Sequence, residues 1–186
     1  LSLQDVEATY AEPRPGDYGP YISTGAMTAA NAVAAMETSA KTAPNLRTVL
    51  MAVGGADILA GKSAATVQQD LSNALKASSP TGVKRTVRPD GSPVHVILTT
   101  VPPLGLDAND PREAQRRQLN NLIVNNFTDF GSDDLVDFDS AVRSGADQSK
   151  IDGQYLTNGV LNDRYHDRIA QIMADACADF PPRAEL

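Results

Sequence analysis

The sequence is poor in the residues on which many functions depend. A single cysteine, Cys177, can neither close an internal disulfide nor build a metal cluster. Any mechanism or metal site that needs imidazole has only His95 and His166 to draw on. Tryptophan is absent and there are only five Tyr and four Phe, which disfavours a flat aromatic platform for sugars. No apolar run approaches the roughly 18–20 residues that cross a bilayer. Lys and Arg number 16 against 23 Asp and Glu, a net charge of −7. A negative surface repels phosphate backbones, so nucleic-acid binding is excluded as the main task.

What is present suits one soluble domain. At roughly 100–200 residues per domain, 186 residues make a single unit, expected over 1–180 with a tail at 181–186. A start at Leu1 without Met reads as a processed, trimmed or partial chain. Five Lys against eleven Arg, with no disulfide, is compatible with secretion and equally with a cytoplasmic home.

The hydrophobic pattern alternates between two periods. Residues 11–20 (AEPRPGDYGP) can only be a loop, and the Ala-rich stretch that follows Thr24-Gly25 reads as a helix. Arg47–Val53 is a β-branched apolar run bounded by Gly54-Gly55, a strand buried on both faces. Val67, Leu71, Ala74 and Leu75 give a helix over 63–77 with Ser63 as N-cap. Residues 78–93 form a loop whose basic run Lys84, Arg85 and Arg88 reads as exposed. Val94–Val101 is a second buried strand, 111–127 a helix, and Asp134–Phe138 a third strand. Residues 139–156 look irregular, and Leu161–Ala178 is a final helix with Tyr165, Ile169, Ile172 and Met173 in its stripe. Alternating strands and helices of this kind imply an α/β fold, a three-layer α/β/α sandwich around a parallel sheet of four or five strands. Ligands of such sheets sit beyond the carboxyl ends of the strands.

At one of those ends the chain reads VLMAVGGADILAG, a strand running into Gly54-Gly55-Ala56-Asp57. This resembles the third block of the SGNH (GDSL-like) esterases and lipases, a strand followed by Gly-x-Asn-Asp. TGAMTAANAVAAM (24–36) resembles the family's second block, VILTTVPPLG (96–105) its next strand and Pro-rich turn, and RRQLNNLI (116–123) its helix with a Leu-Asn pair. VDF (136–138) follows. NGVLNDRYHDRIA (158–170) resembles the last block, in which Asp-x-x-His precedes Leu-Asn-Asp and a helix. LSLQDVEATY (1–10) can be laid on the first block, Gly-Asp-Ser. The resemblance implies an abbreviated SGNH-hydrolase fold, of flavodoxin-like type.

The departures fall on the chemistry. In the family a Ser attacks the ester, a His takes its proton and an Asp orients the His. The Ser amide, a Gly amide and an Asn side chain hold the oxyanion. Carried onto this chain, the nucleophile's position beside Asp5 is Val6, the Gly survives as Gly25, and the Asn becomes Ala56 between Gly55 and Asp57. The methyl of Ala56 donates no hydrogen bond, and losing one such donor costs about 2.7–4 kcal/mol of transition-state stabilisation. The Asp position is Asn158 or Thr157, and the His is deleted or replaced by Val160. The resemblance therefore points to a scaffold that has lost the reaction. Its cleft, floored by Val6, Gly25, Ala56 and Val160 and walled by 11–20 and 144–158, would take a small acyl or carbohydrate ligand or another protein domain, with no cofactor.

The alternative is an active ester hydrolase with a relocated nucleophile, Ser23 or Thr24, served by Asp163 and His166, which spell Asp-x-x-His. Set against it, His166 falls one turn inside the last helix, with Asp163 expected to cap that helix. A hydroxyl without a base is a poor nucleophile. His95 stands about six residues before the end of its strand, about 20 Å from the edge. Asp57 is expected to cap a short turn. Asp129, Asp133, Asp134, Asp137 and Asp139 lack the spacing of a calcium loop and read as a solvated face. Arg112, Arg116 and Arg117 are placed on the polar side of their helix, a local patch for an anionic group.

Overall fold

The computed structural model describes residues 28–32, 48–75 and 94–178. A helical turn at 29–32 is followed by β1 (Thr48–Met51), α1 (Gly55–Leu59), α2 (Ala64–Leu75), β2 (His95–Thr99), α3 (Pro111–Asn126), β3 (Asp134–Val136) and α4 (Phe138–Val142). Then come a short hairpin of β4 (Leu156–Thr157) and β5 (Val160–Leu161) and the last helix, α5 (Asp163–Ala178). The three longer strands lie in the order β1-β2-β3, all parallel, with Thr48 opposite His95 and Ile97 opposite Asp134. The described residues hold three strands of the expected four or five, and residues 1–27 lie outside them.

The layers follow from strand alternation. Val49, Met51, Val96 and Leu98 pack on one face of the sheet with Ile58, Val67, Leu71, Leu119 and Ile123 from α1, α2 and α3. Leu50, Ile97 and Val136 meet Ile169, Ile172, Met173 and Ala176 of α5 on the other. Helices thus cover both faces, as the continuous apolar strands require.

Local signals set the helix starts. Ser63 Oγ accepts from Thr66 N–H at 3.2 Å, the expected N-cap of α2. Asp110 Oδ1 accepts from Arg112 N–H at 2.8 Å with Pro111 behind it, so α3 begins on a cap and a residue that needs no N–H partner.

Three expected boundaries are corrected. The third strand stops at Val136 rather than Phe138, because Asp137 turns the chain by accepting from Ser140 N–H at 3.1 Å and starts α4. Residues 139–156 are ordered rather than irregular: α4, an Arg143–Ile151 bridge and a 3₁₀ turn at Gly153–Tyr155 fill them. The last helix starts at Asp163, not Leu161, and its cap is Asn162, whose Oδ1 accepts from Tyr165 N–H at 3.3 Å; Asp163 is the first helical residue. No described helix is long and apolar enough to cross a membrane.

Candidate functional site at the carboxyl edge of the sheet

The edge is built first by the turn leaving β1. Gly54 has φ +107, and a Cβ there would stand 3.2 Å from Leu119 Cδ2 and 3.5 Å from Val101 and Val67 side chains. Only glycine satisfies both the backbone and the space. A side chain at Gly55 would meet Leu104 Cδ2 at 3.2 Å. Asp57 does not cap the turn. It is fully buried inside α1, and its Oδ2 accepts from Ala29 N–H at 2.9 Å, 28 residues back, at the start of the helical turn 29–32. Lys62 Nζ lies 2.6 Å from the other oxygen, an ion pair off the line of a straight hydrogen bond, and 2.9 Å from Asp70. The two carboxylates hold the Lys62 ammonium above its ordinary range. Asp57 therefore ties the β1 exit to the segment that follows Gly25.

The exit of β2 is held by polar side chains of α3. Asn120 accepts from Val101 N–H and donates to Val101 O, both at 2.8 Å. Arg116, expected on the polar side of the helix, is fully buried. Its Nε and Nη2 bind the buried Glu113 carboxylate at 2.8 and 2.7 Å, and Nη1 donates to Val101 O at 2.8 Å and to Asp139. Nη2 also donates to Gln148 O at 2.9 Å. Burial works against the charge, but hydrogen bonds to Glu113 and the Asp139 charge outweigh it and raise the guanidinium's proton affinity. Asp139 is likewise no solvated residue: it is 2% exposed and also pairs with Arg143 at 2.7 Å. Asp137 accepts from Thr100 Oγ1 at 2.7 Å, and Asp133 accepts from Val96 N–H at 2.9 Å. Asp137 and Asp139 are thus spent on hydroxyl, backbone and arginine partners, whereas Asp129 and Asp133 are exposed as expected. Arg112 closes on Asp110 at 2.7 Å and Arg117 lies 3.6 Å from Glu113, so the expected anion patch is largely self-neutralised.

The segment entering α5 carries the expected site residues Asn158 and Val160. Asn158 (φ 53) and Gly159 (φ 79) form the two-residue turn of the β4–β5 hairpin, both in the positive-φ conformation that a type I′ turn demands. An Asn-Gly pair flanked by Thr157 and Val160 is the sequence signal for that turn. Val160 stands out from the fold, 68% exposed, with Leu161 at 41%. The hairpin is fastened by Asn162, whose N–H donates to Tyr155 O at 3.0 Å and whose Nδ2 donates to Gln154 O at 3.0 Å. Tyr165 sets its ring edge-on to Tyr155 and to His166, at 6.4 and 5.5 Å, and burial raises its phenol pKa.

Among the expected site residues, Gly55, Ala56 and Asp57 thus share the first turn of α1, and Asn158 and Val160 the β4–β5 hairpin. Asp163 and His166 lie in the first turns of α5, and no hydrogen bond or ion pair joins them. His95 begins β2, at the end of the strand opposite the candidate edge, 3.7 Å from Asp133. Asp5, Val6, Ser23, Thr24 and Gly25, together with the 11–20 wall and Lys84, Arg85 and Arg88, lie outside the described residues.

No protein-family model and no curated protein matches the sequence. The fold does match solved structures. A member of the lipolytic G-D-S-L family from Veillonella parvula aligns over 95% of this chain and 86% of its own, at TM-score 0.66 and 18% identity. A GDSL-like lipase from Bacteroides thetaiotaomicron aligns over 97% and 82%, at TM-score 0.66 and 17% identity. The architecture is the SGNH/GDSL-hydrolase fold, in abbreviated form.

Proposed function

We propose that this chain is a GDSL-hydrolase-fold module in which ester hydrolysis has been lost, and that its carboxyl edge serves as a binding or structural surface for a small acyl or carbohydrate ligand or another protein domain. The observation that carries this reading is the segment before α5. Where the resemblance puts an Asp and a His, the chain has the hairpin from Leu156 to Leu161, without one ionisable side chain. The two histidines do not supply the missing base. His95 is at the far end of β2, and the unjoined Asp163 and His166 lack the hydrogen bond that orients an imidazole for general-base work. The side chain of Ala56 offers no oxyanion donor at the β1 exit. The exposed Val160 and Leu161 give the hairpin an apolar surface that a ligand or partner could meet.

The test is hydrolysis of chromogenic esters from acetate to octanoate by the folded protein, beside its His166→Ala variant and a heat-denatured control. Expected is turnover no greater than the control for both proteins. Turnover by the parent that disappears in the variant would overturn the proposal and favour an active ester hydrolase using Ser23 or Thr24 with Asp163 and His166.

A further inference from the structure

Residues 143–152 leave α4, fold on themselves and return. Asp152 N–H donates to Val142 O at 2.8 Å, Ser144 N–H to Lys150 O at 2.8 Å and Lys150 N–H to Asp147 O at 3.0 Å. Arg143 and Ile151 pair across the base as an antiparallel bridge. Asp147 braces the interior: its Oδ1 accepts from Ser149 N–H at 2.9 Å and from Ser149 Oγ at 2.7 Å, bonds that hold its carboxyl below the usual range. The segment satisfies its own backbone, as compact Ω-type loops do.

Its attachment to the rest of the fold is of another kind. Among the described residues, the hydrogen bonds tying 144–150 to elements beyond its own base come from two cations. Arg116 Nη2 donates to Gln148 O at 2.9 Å. Lys150 Nζ donates to Leu106 O at 2.9 Å, in the loop that leaves β2, and sits 3.4 Å from Asp107. The Arg116 guanidinium keeps four further bonds that do not involve the segment: two to Glu113, one to Val101 O and one to Asp139. Lifting 144–150 breaks one of its five bonds and leaves the other four, so the donor stays in position and the buried charge stays paired.

We propose that residues 144–150 form a strap that opens and closes as one unit over the exit of β2, with Arg116 as the fixed catch and Lys150 as the strap's own fastener. Opening costs the bonds from Arg116 and Lys150 and the packing of Ser149, 1% exposed, and releases the segment's own backbone bonds to solvent as one cooperative unit. It uncovers the Val101–Leu106 stretch at the carboxyl edge of the sheet, where ligands of parallel α/β folds enter. The strap stands independently of whether hydrolysis survives, since none of its residues belongs to a hydrolytic set.

Amide hydrogen exchange on the whole chain, read by mass spectrometry, tests it. In the parent protein, peptides covering 144–152 are expected to exchange faster than those of β2 and α2. Lys150→Met, at a residue on the surface, is expected to speed the strap by roughly tenfold or more, the equivalent of one charged hydrogen bond, and to leave β2 and α2 unchanged. Arg116→Lys, which cannot supply five N–H groups, should speed the strap by a larger factor than β2. Gln148→Ala should change nothing, because only the main-chain oxygen of Gln148 takes part. A strap that keeps its parent rate in Lys150→Met, or that accelerates there only in step with β2 and α2, overturns the proposal. If Arg116→Lys does not fold, the Lys150→Met comparison decides alone.

Discussion

The turn that leaves β1 and the turn that enters α5 use the same backbone freedom in opposite surroundings. Gly54, at φ +107, sits against Leu119, Val101 and Val67; Gly159, at φ +79, has nothing within 4 Å of where a Cβ would stand. Behind the first turn lie the buried Asp57, the apolar core and the Arg116 junction; behind the second lie two-residue strands and the exposed Val160. Close packing penalises any change at the first, whereas the second pays only for its own conformation.

The largest effect is expected at the crowded side. Arg116→Met leaves the buried carboxylates of Glu113 and Asp139 without the cation between them, and breaking a buried ion pair from one side costs about 3–5 kcal/mol. Urea denaturation should register a loss of that size; a loss below about 1 kcal/mol would mean that water or Arg143 replaces the guanidinium. Next is the pair of glycines themselves. Gly54→Ala combines a strained φ with a 3.2 Å approach to Leu119, for about 2–4 kcal/mol. Gly159→Ala meets the strain without the crowding, for about 1 kcal/mol. The difference between the two melts measures the crowding, and equal losses would erase the distinction between the turns.

How far the sequence reveals this can be followed residue by residue. Val49–Met51 and Val96–Leu98 are legible as strands because burial on both faces leaves them no polar alternation. Ser63 and Pro111 are legible as helix starts because a cap needs only local chemistry. Arg116 is not legible from composition: a helix face carrying Glu113, Arg116 and Asn120 looks solvated when apolar residues alone are counted. Those three nonetheless follow the same i, i+3, i+7 period as a core stripe, with Leu119 and Ile123 beside them, and all five are buried. The period carries the signal, and the polar side chains mask it. The Asn158-Gly159 turn was written in the chain too, but strands of two residues carry no alternation to announce it. Asp57 could not be read, because its partner is a main-chain N–H 28 residues away.

A pH-dependent effect separates the β2 exit from its charge. Burial alone would push the Asp137 carboxyl up, but hydrogen bonds from Ser140 and Thr100 outweigh it and, with Arg143 nearby, hold it below the ordinary 3.8. A folded-state pKa lower than the unfolded one adds stability that is complete above the unfolded value and is lost as pH falls through the folded value. Thr100→Val removes the Oγ1–H that donates to Asp137 at 2.7 Å and the oxygen that accepts from Asp139 N–H at 2.9 Å. At neutral pH the variant should be less stable by about 1–2 kcal/mol. Because its Asp137 lies closer to the unfolded value, it has less to lose on acidification, so the urea midpoints of parent and variant should draw together as the pH drops below 3.8. Midpoints that stay parallel down to the acid transition would assign the whole loss to the Asp139 N–H and its buried surroundings, and would leave the carboxylate at the end of β3 with no share in holding this edge.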